Sequence, residues 1–267
     1  EAYGGMGLEQ DSVSNALALE ALAYGDLSLA MSVSVPLLVT QIISEHGSEE
    51  QKGELLPKLV NGSIFHVGLG INNALLSTDP YQSSVTAEEN GEEIILNGSK
   101  TGVAFANHAN TFLISASNES GECNLYFVNK DQEGVALEDK EFMGLKGAPL
   151  SQINLSNCKI NASQKLGGHN YSINYESLID SSRIGMSALA LGVCQAVLDY
   201  VVPYTNERVA FDEPISNRQS VAFMVADMAI ETEALRLMIY KSAALKDLGE
   251  DFHKQASLTY RFAAHHA

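Results

Sequence analysis

The spacing of apolar residues changes twice along this chain, and this change limits the folds it can adopt. Residues 1–63 carry apolar side chains at helical spacing, for example in SNALALEALAYGD. Residues 64–172 show short apolar runs separated by Gly, Asn and Ser, a pattern typical of β-strands. From residue 173 the helical spacing returns. The chain is therefore predicted to be α+β and mostly α, with an N-terminal helical domain at 1–63, a middle β-barrel domain at 64–172 and a C-terminal helical bundle at 173–267.

Short signals locate elements within the first two domains. Ser48 is expected to cap a helix that has Gln51 in its first turn and ends at Asn61-Gly62. The dipeptide Asn90-Gly91 lies between two strand-like runs and favours a hairpin. Four further runs predict the strands of a small barrel or sandwich: NTFLISASN, CNLYFVNK, GVALEDK and SQINLSNCKI.

The C-terminal domain is predicted to contain two long antiparallel helices. The first is expected to run from about residue 173 through RVAF, with a kink at Pro203. The second is expected to begin at Ser216, which forms an S-x-x-Q capping box with Gln219, and to end at Gly249. Its predicted apolar face consists of Val221, Met224, Met228, Thr232, Leu235 and Ile239.

The charge distribution limits the partners of the chain. A formal net charge of −17 argues against nucleic acid, because phosphate neutralisation needs a basic surface. Any phosphorylated ligand must instead be held by local cations. All five arginines lie after residue 182, and arginine suits bidentate phosphate contacts. This clustering either marks a phosphate-binding region or reflects the small number of arginines.

The cysteines, the histidines and the chain start indicate the cellular setting. Cys123, Cys158 and Cys194 are odd in number and widely spaced, which argues against disulfides and a zinc site and favours the cytoplasm. The histidines form no metal motif, so no metal is expected. No apolar run approaches the ~18 residues that cross a bilayer, so no membrane insertion is expected. The opening EAYGGMGL lacks Met and any visible signal peptide, and we interpret the chain as part of a longer protein with incomplete terminal domains.

Taken in order, these segments resemble the acyl-CoA dehydrogenases over essentially the whole chain. YGGMGL, EALAYGDLSLA and GSEEQKGELLPKLVNG match the N-terminal helical domain of that family. NGEEIILNGSK matches its β-domain hairpin, and MGLKGAPLSQINLSNCKI its later strands. SSRIGMSALALG and YTNERVAFDEPISNRQ match the core helices of its C-terminal domain. The resemblance implies a flavoprotein oxidoreductase of fatty acid metabolism that binds FAD and dehydrogenates an acyl-CoA thioester. It also implies a homotetramer or homodimer, or a heteromer with a paralogue, and an electron acceptor that the sequence does not identify.

The resemblance assigns one group of cofactor-binding residues to the C-terminal domain. Arg208, Phe211 and Gln219 match the family residues that reach the FAD pyrophosphate and adenine side in a neighbouring subunit. Each also has a simpler explanation: the helix dipole for Arg208, a core position for Phe211 and the capping box for Gln219. Asp212 stands where the family has a Gly after this Phe.

A second group of cofactor-binding residues falls in the β-domain. Asn72 and Thr78 lie in NNALLSTD, which matches the family loop that wraps the flavin ring. Gly102 and Ala104 stand where the family places a Trp and a Thr against the flavin. A stacking surface and a hydrogen bond are therefore missing, and such a bond contributes ~0.5–1.5 kcal/mol.

The catalytic base is expected beyond Ala267, where most of the family carries a Glu. A minority carries the base just before the helix arginine, here Arg183, but that residue is Ser182, whose hydroxyl pKa is far too high. Arg183 resembles an arginine that lines the substrate pocket, and it equally suits a buried ion pair between helices. The expected function is acyl-CoA dehydrogenation. The alternatives are a non-catalytic partner subunit with an eroded flavin site, or a related flavin oxidase or monooxygenase.

Overall fold

The N-terminal helical pattern forms three helices in the computed structural model, which describes residues 3, 11–61, 66–73 and 79–267. They are α1 (Ser12–Gly25), α2 (Leu27–His46) and α3 (Glu49–Asn61). The predicted cap of α3 is confirmed: the Gln51 amide N–H donates to Ser48 Oγ at 3.2 Å, and the Ser48 N–H donates to Gln51 Oε1 at 3.0 Å. Asp11 caps α1 by accepting hydrogen bonds from the amides of Val13 and Ser14. These bonds satisfy amides that have no partner inside the helix.

The middle region forms one sheet of seven strands among the described residues. The strands are β1 (Val67–Gly70), β2 (Thr86–Asn90), β3 (Glu93–Ala104), β4 (Thr111–Ser117), β5 (Cys123–Asn129), β6 (Val135–Lys140) and β7 (Leu150–Asn161). Their order is β1-β4-β2-β3-β7-β6, and β5 pairs with β4. The four strand-like runs and the hairpin predicted from the sequence are confirmed. In the hairpin, Asn90 pairs with Glu93, so the two turn residues are Gly91 and Glu92.

Both faces of this sheet are covered, which the alternation along β5 illustrates. Cys123, Leu125 and Phe127 face a cluster that includes the apolar sides of α2 and α3. Tyr126 and Val128 face the second cluster, which is enclosed by β2, β3, β4 and β7. Because side chains alternate along a strand, a strand buried on both faces becomes apolar throughout. This explains why CNLYFVN shows little alternation.

Long helices form the C-terminal region. They are α4 (Tyr175–Glu207), α5 (Gln219–Asp247) and α6 (His253–His266), with a short hairpin of β8 (Val209–Ala210) and β9 (Glu213–Pro214) after α4. Residues 3 and 31–179 make up one compact unit, here called the β-unit, and residues 11–30 and 180–267 a second, the helical unit. The fold class predicted from the sequence is confirmed: along the chain, helices come first, the strands of the sheet follow, and helices return at the end.

Two expectations for these helices were wrong. The first helix ends at Glu207, and RVAF enters the β8–β9 hairpin instead of continuing the helix. Ser216 lies in a 3₁₀ turn, Ile215–Asn217, and α5 begins at Gln219 without a side-chain cap, so the capping box does not form. On the predicted apolar face of α5, Thr232, Leu235 and Ile239 are buried, whereas Met224 is 58% exposed. Only the C-terminal half of that face is packed within the chain.

Helices α2 and α4 are long and apolar enough to cross a membrane when judged by length and composition alone. The sequence-based expectation of no membrane insertion considered only uninterrupted runs of apolar residues. Helices α2 and α4 pass the length and composition test because their mean hydropathy is high. Core helices also pass this test, and Val39, Ile42 and Ile43 of α2 are buried in the β-unit.

Candidate functional site

A tight hairpin presents Phe211 to solvent directly after α4. Ala210 pairs with Glu213, so Phe211 and Asp212 form a two-residue turn with φ angles of 57° and 66°. Such turns need positive φ at both central residues and normally use Gly or Asn. A bulky residue in this conformation costs about 1–3 kcal/mol and is retained only where the surroundings require it. Phe211 is nevertheless 87% exposed, so burial of its side chain does not offset the strain.

Two arginines close to this hairpin in sequence each lie beside an aromatic ring. The Arg218 guanidinium lies 4.8 Å from the centre of the Phe211 ring and donates to the Ala210 carbonyl at 3.3 Å. The Arg208 guanidinium lies 5.7 Å from the centre of the Tyr204 ring. In the described part of the chain, neither arginine has a carboxylate at ion-pair distance. We call Arg208, Phe211, Arg218 and Gln219 the arginine corner.

Gln219 completes the arginine corner as the first residue of α5. Its side chain is exposed, and its side-chain amide has no hydrogen-bond partner among the described residues. The capping role that explained Gln219 from sequence alone is therefore excluded. Guanidinium and amide donors beside an exposed aromatic ring fit an anionic dinucleotide, which offers phosphate acceptors and a flat base.

Arg183 has a different environment. Its NH1 donates to Asp180 Oδ1 at 3.0 Å and to Ser257 Oγ at 2.8 Å. Asp180 is buried, and its Oδ2 lies 2.9 Å from His253 Nδ1. These contacts tie α4 to α6 within the helical unit, so the ion-pair interpretation of Arg183 is observed. Its contact with substrate stays a prediction.

The residues of the β-unit that the family resemblance assigns to the flavin ring have different environments. Thr78 lies outside the described residues. Gly102 has φ +64° at a bulge between Lys100 and Val103, and among the described residues a Cβ added there would meet Asn72 Nδ2 at 3.4 Å and nothing else within 4 Å. The described residues therefore do not fill the side of β3 where the family has a large aromatic ring.

Ala104, two residues further along, is 5% exposed and covered by apolar side chains. It belongs to a cluster with Phe105 and Ala148, which packs against Met31 and Val35 of α2. The Ala104 methyl therefore offers no hydrogen bond and little surface to a ligand.

Sequence reasoning did not single out Lys100 and Asn73, which lie beside these positions. Lys100 is fully buried, and its Nζ donates to Asn73 Oδ1 at 2.8 Å and to the Ile71 carbonyl at 3.3 Å. Asn73 also accepts from the Ser84 amide at 2.9 Å and donates to the Gln82 carbonyl at 2.8 Å. The NGEEIILNGSK stretch indicated only a hairpin, because nothing local shows that its lysine is buried.

Lys100 should make stability depend on pH. Burial lowers the pKa of its ammonium from 10.5 to about 8. Between these values the unfolded state binds more protons than the folded state, so the free energy of unfolding should rise with pH. We expect the free energy of unfolding to increase by roughly 1 kcal/mol between pH ~8 and pH ~9. Urea unfolding at the two pH values would measure this increase. At higher pH the gain should shrink, because burial raises the pKa of the Cys123 thiol from 9.0 to about 11.

The control for this prediction is Lys100→Met, which has a similar length and no titrating group. Its unfolding free energy should not rise over the same pH interval, and the raised pKa of the Cys123 thiol should make it fall slightly. An equal rise in the variant would assign the effect to another group.

Family models match three segments of the chain. They are described as the acyl-CoA dehydrogenase N-terminal domain at residues 1–63, the middle domain at 75–158 and the C-terminal domain at 174–267. A curated relative, the short/branched chain specific acyl-CoA dehydrogenase, mitochondrial, of Rattus norvegicus, is 33% identical over 270 residues. That match covers 98% of this chain and 61% of the relative, so the chain spans less than two thirds of that protein's length.

Solved structures agree with these matches. Butyryl-CoA dehydrogenase from Megasphaera elsdenii is similar with a TM-score of 0.84 and 29% identity, covering 100% of this chain and 72% of that one. The prolyl acyl carrier protein oxidase AnaB is similar with a TM-score of 0.86 and 25% identity, covering 99% of this chain and 72% of that one. The similarity thus includes a dehydrogenase and an oxidase.

Proposed function

The chain belongs to the acyl-CoA dehydrogenase family, and we propose that it dehydrogenates an acyl-CoA thioester at its α and β carbons with FAD as cofactor. The observation that carries this proposal is the arginine corner. A chain with a net charge of −17 keeps Arg218 beside the exposed Phe211 ring and Arg208 beside the Tyr204 ring, and neither arginine has a carboxylate partner in the described residues. An anionic ligand would give these cations a partner and would explain why a strained Phe211 is retained.

The chain's own residues would bind and orient this cofactor. Arg208 and Gln219 would donate hydrogen bonds to the pyrophosphate, and Phe211 would lie on the adenine side. Asn72 and Gly102 would border the ring, and Thr78 is assigned to the same loop by the resemblance. When bound, FAD supplies a hydride acceptor for the β-carbon.

Removal of the α-proton needs a base close to the α-carbon. Asp180 is a buried carboxylate near Arg183, but Arg183 and His253 already engage it, which suits positioning of Arg183 better than proton abstraction. The base therefore stays the prediction drawn from the family, a glutamate downstream of Ala267. Arg183 is proposed to line the pocket that binds the substrate.

We also propose that the protein is a homo-oligomer, because the family's corresponding corner acts on the cofactor of a neighbouring subunit. Large exposed apolar side chains on α4 and α5 support an interface, since such patches mark association sites. They include Tyr200, Phe223, Ile230 and Leu237. A cytoplasmic, reducing location is proposed as well, supported by three free cysteines.

Arg208→Ala tests the cofactor proposal. Loss of a charge-assisted hydrogen bond to phosphate should weaken FAD binding by about 1.5–3 kcal/mol, or roughly tenfold to a hundredfold in Kd. Flavin absorbance after gel filtration and a fluorescence titration of the apoprotein would measure this. Arg261→Ala is the matched control, since Arg261 is an exposed arginine on α6. Equal FAD affinity in both variants and the parent protein would contradict the assigned role of Arg208.

Anaerobic mixing with acyl-CoAs then distinguishes the candidate reactions. Bleaching of the flavin by an acyl-CoA supports dehydrogenation. The similarity to an acyl carrier protein oxidase favours a second candidate, a flavin oxidase, which would be reoxidised rapidly by dioxygen. A folded, colourless protein that binds no FAD would instead support the non-catalytic partner subunit, in line with the missing groups at Gly102 and Ala104.

A further inference from the structure

Lys100 is an unusual charged residue in the core of the β-unit. Its side chain is fully buried, although lysine is almost never fully buried without a paired charge. Across the part of the chain that the structure describes, no carboxylate lies at ion-pair distance from its ammonium, which donates to the Ile71 carbonyl and to Asn73 Oδ1. Burying a cation on neutral acceptors costs free energy. Proteins keep such unfavourable groups mainly at functional sites, so Lys100 is expected to have a role besides packing.

The two acceptors of Lys100 lie on either side of Asn72 in the chain. The Thr101 amide, next to Lys100 in β3, donates to the Asn72 carbonyl at 3.0 Å. Asn73 forms an antiparallel bridge with Lys100, and its Oδ1 also accepts from the Ser84 amide at 2.9 Å. The backbone of Asn72 is therefore fixed by the Lys100 side chain and by the backbone of β3.

This arrangement determines where the Asn72 side chain lies. Asn72 Nδ2 would be 3.4 Å from a Cβ built on Gly102, at the bulge of β3 that the resemblance assigns to the flavin ring. Asn72 is exposed, so its amide is accessible to a ligand. We propose, resting on the function proposed above, that Lys100 is a positioning residue, which holds Asn72 from the core so that the Asn72 amide meets the flavin ring. A donor that is already oriented binds more tightly, because less conformational entropy is lost on binding.

A purely structural Lys100 makes a different prediction. If Lys100 only stabilises the sheet, its loss should affect FAD binding no more than the loss of a comparable buried lysine. Lys165 is such a residue in the β-unit: it is 5% exposed, and its Nζ lies 3.2 Å from Glu89 Oε1. Its side chain makes no hydrogen bond to residues 71–73 in the described structure. Lys165→Met is therefore the matched control for Lys100→Met.

The first measurement is the FAD affinity of the apoprotein, followed by fluorescence titration. Lys100→Met should raise the Kd about threefold to tenfold, the effect of having to order one side chain on binding. Lys165→Met should keep the parent affinity. Because Lys100 acts through Asn72, the effect of Lys100→Met should disappear in an Asn72→Ala background. Equal losses in both lysine variants, or a loss that persists without the Asn72 side chain, would overturn the proposed role.

The second measurement does not depend on FAD. Hydrogen exchange of the Thr101 amide, relative to its intrinsic rate, reports the bond to the Asn72 carbonyl. Exchange should be faster in Lys100→Met than in the parent protein and in Lys165→Met. Asn73→Ala removes the side-chain acceptor of Lys100, should have the same effect, and serves as the second variant if Lys100→Met folds poorly. Unchanged protection in both variants would overturn the hold on Asn72. Faster exchange together with no FAD binding by the parent protein would support that hold and contradict the proposed cofactor.

Discussion

Replacing Gly192 by alanine is expected to lower the free energy of unfolding by about 2–3 kcal/mol. Gly192 lies in α4, where α1 passes at close range within the helical unit. A Cβ there would press on the Glu20 carbonyl oxygen and would lie 2.8 Å from the Tyr24 amide nitrogen. Alanine favours a helix over glycine by about 1 kcal/mol, but this gain is smaller than the cost of separating two helix backbones. Chemical denaturation followed by circular dichroism would measure the difference.

The matched control is Gly53→Ala. Gly53 is an exposed glycine inside α3, and a Cβ there would meet none of the described residues within 4 Å. The remaining effect is the higher helix propensity of alanine compared with glycine. The Gly53→Ala variant should therefore be stabilised by up to about 1 kcal/mol. Opposite signs at the two glycines are the expected result. A stabilised Gly192→Ala variant would show that α1 does not pack closely on α4.

Arg236→Met should also be strongly destabilising, by about 2–3 kcal/mol. Arg236 of α5 pairs with Glu20 of α1, and its NH2 donates to Gln195 Oε1 at 2.7 Å. The Tyr240 hydroxyl donates to Glu20 Oε2 at 3.0 Å. Both charged side chains are mostly buried, so removing the cation leaves a carboxylate that water cannot solvate well. The full cost of breaking a buried pair is about 3–5 kcal/mol, and partial exposure reduces it here.

Two further variants make this prediction specific. Lys58→Met breaks the exposed pair with Glu54 and should change stability by less than about 0.5 kcal/mol. Adding Glu20→Gln to Arg236→Met removes the unpaired charge and should restore part of the lost stability. If the double variant is as unstable as the sum of the single variants, the pair is not coupled and the interpretation fails.

Signals that act over a few residues predicted much of the fold. The Ser48–Gln51 cap and the Asn90-Gly91 hairpin formed as expected because caps and tight turns depend on neighbouring residues. The capping box at Ser216 failed although its sequence pattern was correct. The tight turn at Phe211-Asp212 and the pairing of β8 with β9 place Ser216 in a separate 3₁₀ turn. The turn itself lacked the usual Gly or Asn and could not be recognised.

The candidate site was predictable only in part. The resemblance indicated Arg208, Phe211 and Gln219, but the absence of a carboxylate near Arg208 is a property of the folded chain. Lys100 and Phe105 were not singled out. Burial of a lysine depends on strands that lie far apart in sequence, and a left-handed φ at phenylalanine leaves no pattern in the residues themselves.

The sequence by itself determined the helical, β and helical order and the bounds of α3, because apolar spacing and capping residues are local. It also determined the family, through an ordered set of segments. Only the tertiary structure decided which charges are paired, which glycines have no room for a side chain and that Phe105 is buried. Those properties arise from contacts between elements such as α1 with α4 and α5, or β3 with α2. Their energies depend on distances that no local pattern encodes.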